Sequence, residues 1–306
     1  MAPLSLGFAA LIMENPVGGE VPGWEAIRTW AELSESHGFD TFWVPDELVW
    51  EDAENPERTA GWWECVSVAA AVSAVTDGIQ IGTWVLSALH RNPGLTVKAV
   101  ETLDEISGGR LVFGFGAGHA GRQGEAFGFP LDKTVGRYEE ALKVVVALLR
   151  DGEADYSGDF HSAVRQQSRP RGPSCGTIPL MLGGHGPRTI GLAVDYADVW
   201  SGYATSSSQP EAFVDRLQLL DEVCEKKGRD PKDIGRSIGV AVVPPGTEPG
   251  WLTEGDEPVS GSTEEIAETL LKFADLGVDS IELMMDTDPG EGIPALSDAL
   301  DMVRSA

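Results

Sequence analysis

Two segments of the chain carry residue types suited to proton transfer. Asp46 and Glu47 follow a short apolar segment, and His119 follows a stretch in which Gly116 and Gly118 alternate with other residues. A carboxylic acid and an imidazole can pass a proton between them when both titrate near neutral pH. We therefore predict that Glu47 and His119 form an acid–base pair if the fold brings the two segments together. The alternative is that Glu47 is a solvated loop acid and that His119 only packs against a ligand ring.

A third segment has the composition of an anion-binding site. Gly183 and Gly184 precede the sequence His-Gly-Pro-Arg-Thr, which ends at Arg188 and Thr189 and opens a predicted helix. Exposed backbone N–H groups at a helix N-terminus, together with a guanidinium, favour binding of phosphate or another anion. The alternative is a plain turn with a surface arginine.

The charge of the chain limits its partners. Lys and Arg number 22 and Asp and Glu number 49, so the formal net charge is −27. Nucleic acids and anionic membranes are bound through Lys and Arg, so neither is expected as a general partner. An anionic ligand would need local cations, for which the candidates are Lys98, Lys133, Arg137, Arg165, Arg169, Arg171 and Arg188.

Several other classes of protein are disfavoured. The N-terminus lacks the basic and apolar regions of a signal peptide, and no apolar stretch reaches about 18 residues. The 3 cysteines lie far apart without a C-x-x-C pair, and the 5 histidines show no metal-ligand spacing. We predict a cytoplasmic protein without a bound metal.

The elements that must position these residues alternate between strand-like and helix-like segments. Strands are predicted at 4–10, 40–44, 79–86, 110–115, 178–182, 198–201, 237–243 and 280–284. Helices are predicted at 24–37, 63–75, 95–106, 135–149, from 187 onward, and at 210–227, 262–276 and 293–304. Crossover helices require parallel pairing, and this alternation predicts one TIM (β/α)8 barrel domain over residues 1–306. An open doubly wound sheet is the alternative.

Long connections follow three of the predicted strands, at 45–61, 116–134 and 244–261. In a barrel they would all rise from the C-terminal face, where such enzymes carry their sites. Glu14 and Trp50 are predicted to line a substrate pocket there, with Trp62, Trp63 and Trp251 as further candidates. A further insertion at 155–177 contains three of the candidate arginines. We interpret it as a solvated loop, and the alternative is that it lies over the tail of a coenzyme.

Two short motifs are set aside on their context. Residues 116–121 match G-x-G-x-x-G, but a polar segment follows instead of the apolar helix that a dinucleotide-binding turn requires. Residues 172–176 match G-x-S-x-G, but no strand precedes the serine and no helix follows it, as a nucleophile elbow requires.

Residues 102–119 read Thr-Leu-Asp-Glu-Ile-Ser-Gly-Gly-Arg-Leu-Val-Phe-Gly-Phe-Gly-Ala-Gly-His. This segment resembles the luciferase-like monooxygenase superfamily. Its sequence is most similar to that of the branch that uses the deazaflavin coenzyme F420. Further landmarks in the right order extend the resemblance over nearly the whole chain, and they lie at 42–46, 81–83, 91–93, 125–128, 137–140, 183–188, 196–200 and 261–265.

The resemblance implies a barrel that holds a flavin-like ring at its C-terminal mouth. The cofactor-binding residues that it implies are Asp46, Thr83, Trp84, Val85, Asn92, Gly116, Gly118, Gly183, Gly184, Arg188 and Thr189. The last four correspond to the family's site for the cofactor phosphate. A non-proline cis peptide behind the ring is expected at Trp84–Val85, while a purely structural Trp84 in the core is the alternative. Glycines at 116 and 118 would let a flat ring approach the backbone.

One position departs from the family pattern. Related sugar-phosphate and alcohol dehydrogenases usually have Asp-His after the second strand, with the histidine as base, and often a carboxylate where this chain has His119. Glu47 stands in place of that histidine. The departure weakens any assignment of those two activities.

The resemblance implies hydride transfer between coenzyme F420 and a small organic substrate. Because the expected histidine is missing, we favour use of the reduced coenzyme to reduce the substrate. An FMN-dependent monooxygenase of the same superfamily is the first alternative, and a non-catalytic flavin-binding relative is the second. Family members are often dimers, which makes a homodimer an expectation.

Overall fold

The protein forms a closed barrel of eight parallel strands, as predicted. The computed structural model describes residues 4–15, 19–51, 57–119, 121–248, 250, 252 and 255–306. The barrel strands are β1 Ser5–Ala9, β2 Thr41–Val44, β3 Gln80–Thr83, β4 Leu111–Gly116, β5 Leu180–Gly183, β6 Val199–Tyr203, β7 Gly235–Val242 and β8 Ser280–Met285. Each strand pairs in parallel with the next, and β8 pairs with β1 to close the barrel.

A helix follows each barrel strand and packs outside it. These helices are α1 Trp24–Ser36, α2 Cys65–Ser73, α3 Pro93–Ser107, α4 Thr134–Arg150, α5 Pro187–Tyr196, α6 Val214–Lys227, α7 Thr263–Asp275 and α8 Pro289–Ser305. Local signals set their ends: α7 begins with the capping box of Ser262 and Glu265, and α3 ends at Gly108 with φ of 66°. None of the described helices is both long and apolar enough to cross a membrane.

Two apolar cores hold the barrel together. The larger lies between strands and helices, and the smaller fills the barrel interior around Ala9, Trp43, Val112 and Met181. Trp43 occupies space that glycine leaves open, since a Cβ at Gly82 would lie 2.0 Å from its ring. The interior therefore has room for one large aromatic ring because the neighbouring strand carries no side chain there.

A carboxylic acid is also sealed inside the barrel. Glu282 of β8 is fully buried and accepts hydrogen bonds from the hydroxyls of Ser237 at 2.6 Å and Ser280 at 3.1 Å. Burial raises its pKa to about 7, and the two hydroxyls only partly offset this.

The insertion 155–177 is solvated as predicted at Arg165 and Arg169, which are exposed, but it is more regular than a loop. It contains an antiparallel hairpin of Glu153–Ser157 and Ser162–Gln167 whose tip lies against α4. The Glu140 carboxylate of α4 accepts the backbone N–H groups of residues 159–161 at 2.8–3.0 Å. Past the hairpin, the buried Glu101 of α3 accepts hydrogen bonds from Arg171 Nε at 3.0 Å and Gly172 N at 2.7 Å. Arg171 is thus used to fasten the insertion.

Several smaller elements in the described part of the chain were not predicted. Val49–Glu51 and Thr59–Gly61 form a hairpin in the loop after β2, and Gly121–Ala126 forms a short helix in the loop after β4. The predicted strand at 79–86 is divided, since β3 ends at Thr83 and Leu86–Ser87 pairs separately with β4. These local segments have too few residues to show a clear periodicity in the sequence.

Candidate active site

The loop after β2 places Asp46 in a buried polar network at the C-terminal mouth. Arg91 donates to both carboxylate oxygens, at 2.6 and 3.0 Å, and the backbone N–H of Ser87 donates to Oδ2 at 2.8 Å. His90 Nδ1 lies 3.2 Å from the same oxygen. Burial opposes ionisation, but the hydrogen bonds from His90 and Arg91 outweigh it and lower the pKa of Asp46. Protein donors therefore satisfy Asp46, which joins the loops after β2 and β3.

The neighbouring Glu47 turns toward the loop after β4. Gln123, which is buried in the short helix of that loop, donates its amide N–H to Glu47 Oε2 and also to the His119 carbonyl at 3.2 Å. Its amide oxygen accepts the Leu48 N–H at 2.9 Å. Gln123 thereby links the two segments that the sequence suggested as an acid–base pair.

The surroundings of Glu47 oppose its ionisation. Burial raises the pKa of Glu47 above its ordinary value, while the Gln123 hydrogen bond and the charges of His119 and His90 offset only part of that rise. His119 itself is exposed. Gln123 thus joins the half-buried Glu47 to the backbone of the exposed His119.

The peptide bond Trp84–Val85 is cis, as expected, and it lies at the floor of the mouth. Thr83 exchanges hydrogen bonds with Gly114 through its hydroxyl, at 2.9 and 3.0 Å. The Trp84 indole N–H donates to Ser201 Oγ at 3.3 Å, and the ring packs against the interior core. Trp84 is thus partly structural, which was the alternative interpretation, and it also lines the opening.

The glycines of β4 already have a structural reason within the chain. A Cβ at Gly116 would lie 2.7 Å from Val85 Cγ2, and one at Gly118 would lie 2.1 Å from Ser87 Oγ. Gly118 also has φ of 83°, which favours glycine. Close packing on Val85 accounts for Gly116, and the approach of Ser87 together with the positive φ accounts for Gly118. Contact of either glycine with a cofactor ring remains a prediction.

The segment after β5 forms a turn that leads into α5. Gly186 precedes the helix without a side chain to cap it, and the Thr189 hydroxyl bonds to the Gly186 backbone at 3.0 and 3.2 Å. Gly184 O accepts the Trp200 indole N–H at 2.9 Å. Arg188 is exposed and pairs with Glu139 at 2.7 Å. The uncapped N–H groups at this helix N-terminus are available to an anion.

Next to this turn, a recess of about 380 Å³ lies between α4, α5 and the inserted hairpin. Its walls are Lys133, Thr134, Val135, Gly136, Phe160 and Arg188. The Arg137 guanidinium lies 4.4 Å above the Phe160 ring, and the Lys133 ammonium lies 5.6 Å from it. Three of the seven candidate cations thus meet at one place.

The remaining predicted residues have more peripheral positions. Asn92 caps α3, where its side chain accepts the N–H of Gly94 at 2.9 Å. Glu14 is exposed and accepts the Gly61 N–H at 2.8 Å, while Trp50 is half-buried in the hairpin after β2. Trp62 packs on the main core, the Trp63 indole donates to Pro22 O at 2.8 Å, and Trp251 lies outside the described residues. These contacts do not test the predicted cofactor and substrate roles.

The sequence analysis missed two members of the network, Gln123 and His90. Gln123 lies in a polar stretch whose short helix has no periodic signal, and His90 comes from a loop 44 residues away from Asp46. Arg91 was noted only as part of a family landmark. All three residues follow the C-terminal ends of β3 or β4, and this position in the sequence could have identified them as candidates.

Residues 7–248 match the luciferase-like monooxygenase family, and the chain belongs to this family. The 5,10-methylenetetrahydromethanopterin reductase of Methanolobus tindarius is 26% identical over 208 residues, which cover 68% of this chain and 58% of that protein. The reductase of the same description from Archaeoglobus fulgidus is 28% identical over 203 residues, which cover 66% of this chain and 55% of that protein. The chain thus spans little more than half the length of these relatives.

Solved structures share the fold. The F420-dependent tetrahydromethanopterin reductase of Methanopyrus kandleri has a TM-score of 0.77 at 17% identity, covering 97% of this chain and 98% of its own. An F420-dependent secondary alcohol dehydrogenase, solved with an F420–acetone adduct, has a TM-score of 0.81 at 18% identity, covering 99% of both chains. A riboflavin lyase with modified FMN has a TM-score of 0.82 at 15% identity, covering 99% of this chain and 92% of its own.

Proposed function

We propose that this protein is an F420-dependent oxidoreductase that reduces a small organic substrate, with Glu47 as the proton donor. The observation that carries the proposal is the half-buried Glu47, joined by Gln123 to the His119 segment at the mouth of the barrel. The F420-dependent reductases and the dehydrogenase among the similar proteins support this coenzyme.

The residues at the mouth fit a deazaflavin with an anionic side chain. Thr83, Trp84 and Val85 form a floor for the ring, and the uncapped turn at 183–189 offers backbone N–H groups to the phosphate. Asp46, through Arg91 and Ser87, holds that floor to the loop after β2.

The recess beside the turn suits the acidic end of the same coenzyme. F420 carries several glutamates, and a chain of net charge −27 must oppose them locally. Lys133, Arg137 and Arg188 provide positive charge there. Their pairings with Asp132 and Glu139 are on the surface, where such pairs contribute little and can be exchanged for a ligand carboxylate.

When bound, the deazaflavin would supply two-electron chemistry by hydride transfer at its C5. The protein's own part is to exclude water from the mouth, to orient the substrate and to donate a proton. A substrate that gains a hydride becomes basic at the adjoining atom, and Glu47, whose pKa is raised by burial, would donate the proton that neutralises it. Glu14 and Trp50, which lie on the loops above the mouth, are proposed to contact the substrate.

Titration of the purified protein with F420 and, separately, with FMN tests the proposal through ligand fluorescence. We expect binding of F420 at micromolar concentration or below and weaker binding of FMN. Preference for FMN would place the protein among the oxygen-dependent monooxygenases, and binding of neither would overturn the cofactor assignment. Binding of F420 without turnover of any hydride acceptor would indicate a non-catalytic relative.

A further inference from the structure

Lys133, at the start of α4, is a residue type that the local structure disfavours. It is the N-cap residue with φ of 52°, and its side chain makes no capping hydrogen bond. Short polar residues are preferred at an N-cap because their oxygen accepts a backbone N–H, and a cation there opposes the helix dipole. The positive φ favours glycine. A lysine that disfavours its own helix in these three ways points to a role outside the helix.

The Lys133 ammonium lies at the aromatic wall of the recess and forms no ion pair with a described acid. It is 5.6 Å from the centre of the Phe160 ring. The other two cations of the recess, Arg137 and Arg188, are each paired with an acid, at 2.9 and 2.7 Å. Lys133 is therefore the recess cation that can bind a ligand carboxylate without first releasing an acid of the described chain.

The tip of the inserted hairpin holds Phe160 in this position. The Glu140 carboxylate accepts the backbone N–H groups of residues 159–161 at 2.8–3.0 Å. The approach is close, since a Cβ at Gly158 would lie 2.4 Å from Glu140 Oε2. The Phe160 ring also packs on the first turn of α4, where a Cβ at Gly136 would lie 3.5 Å from it. Glu140 thus fixes the wall along which the cations of the recess lie.

The position of the recess indicates which ligand it suits. It adjoins the turn at 183–189, which is proposed to bind the coenzyme phosphate, and Arg188 belongs to both. FMN ends at its phosphate, whereas F420 continues beyond its phosphate into glutamates. A cationic recess of about 380 Å³ next to the phosphate turn can therefore contact carboxylates of F420 and finds no group to bind in FMN.

We propose that Lys133 and the hairpin tip select F420 over FMN, because Lys133 binds a glutamate carboxylate of the coenzyme. Glu140 is a positioning residue that acts through Phe160, since it holds the ring against the first turn of α4, where the Lys133 ammonium lies. Ligand binding then offsets the cost that Lys133 imposes on α4. This inference rests on the proposed function and adds to it the part of the chain that discriminates between the two cofactors.

K133G separates a ligand-binding role from a structural one by the sign of its effects. Glycine tolerates the positive φ and removes the cation, so the urea midpoint of unfolding should equal or exceed that of the wild type. Fluorescence titration at low salt should show F420 affinity lowered by about fivefold. Affinities for FMN and for the bare deazaflavin chromophore should change by less than about twofold.

K226M, at the exposed C-terminal end of α6, removes one cation from another helix and is the control. All three ligands should bind K226M as they bind the wild type. Unchanged F420 affinity in K133G, or equal losses for F420 and FMN, would overturn the proposal.

E140Q tests the positioning role. The amide keeps the side-chain shape but lacks the charge that binds three N–H groups, so F420 affinity should fall by about threefold with chromophore binding unchanged. In K133G/E140Q this second loss should be largely absent, because both changes act on one contact. E268Q, at an exposed position on α7, controls for the loss of one acid. Losses that simply add would contradict a Glu140 that acts through the recess.

The same titrations distinguish failure of this inference from failure of the proposed function. Wild-type protein that binds F420 no more tightly than the bare chromophore would overturn the inference and leave the proposed function standing. If neither ligand binds, the proposed function fails, and titration of the cofactor-free protein with triglutamate decides whether Lys133 binds carboxylates. NMR signals of the Phe160 ring, assigned with F160L, should shift in the wild type and stay unchanged in K133G. No shift in the wild type would overturn the inference.

Discussion

A cluster around Glu101 and a cluster around Asp46 both contain a buried carboxylate, and the two differ in how completely their polar groups are satisfied. Glu101 fastens the insertion and has protein donors on both oxygens, from Arg171 and the Gly172 N–H. At the mouth, Asp46 is equally satisfied, but the adjoining Glu47 and His90 keep capacity for a further proton or hydrogen bond. A fully satisfied cluster stabilises the fold, whereas a cluster with spare capacity can act on a ligand.

Removing the ionisable group at the mouth should have the largest effect on activity. E47Q keeps the side-chain shape and the neutral charge of the protonated acid but cannot donate a proton. We expect kcat to fall by about 100-fold or more, with F420 affinity and thermal stability close to wild type. Steady-state kinetics with an identified substrate and a melting curve measure both. A kcat within threefold of the wild type would remove Glu47 from the mechanism.

Disrupting the cluster around Glu101 should lower the stability of the fold and leave activity unchanged. R171M leaves the buried Glu101 without its cation, and we expect a loss of about 3 kcal/mol in the free energy of unfolding. Urea titration measures the loss, and kcat per folded molecule should not change. K272M, on the exposed face of α7, is the control and should stay near wild type in both. A kcat loss in R171M at full folding would contradict the division between the two clusters.

Glu282 provides a third case for this comparison, because its pKa is also raised by burial but its hydrogen-bond partners are the hydroxyls of Ser237 and Ser280 inside the barrel. With a folded pKa of about 7 against an ordinary value of 4.5, the folded state binds this proton more tightly. The free energy of unfolding should therefore fall as pH rises from 4.5 to 7, by at most about 3 kcal/mol. E282Q should flatten this dependence and be the more stable variant above pH 7.

Urea unfolding of wild type and E282Q below pH 5 and above pH 7 provides the measurement for this prediction. E268Q, at an exposed position on α7, controls for the loss of one acid. Equal slopes in wild type and E282Q would show that Glu282 is ionised without cost.

The smallest effect is expected at the recess beside α5. K133E/R188E should weaken F420 binding by about tenfold and leave binding of the bare deazaflavin chromophore, without phosphate and glutamates, unchanged. K226E/K272E makes the same charge change on distant helices and should reduce affinity less. Equal losses in both double variants would mean that only the overall field matters, and that the recess has no part in binding.

Much of the barrel and part of the site could be predicted from sequence. The eight barrel strands and the helices between them lie near their predicted positions, because strand and helix periodicities are local properties of long segments. The cis bond at Trp84–Val85 was also expected, from the family resemblance. The hairpin and the attachment of the insertion were not predicted because they depend on Glu101 and Glu140, which come from two other helices. The homodimer and the cytoplasmic location stay predictions.

The sequence by itself therefore determined the alternation of strands and helices, the family, and the loops from which an acid–base pair would come. Only the tertiary structure decided that Gln123 joins Glu47 to the His119 segment and that His90 faces Asp46 from another loop. The physical reason is that periodicity and capping act within a few residues along the chain. Burial and hydrogen-bond partners at the mouth arise where β2, β3 and β4 end side by side, and they lower the pKa of Asp46 and raise that of Glu47.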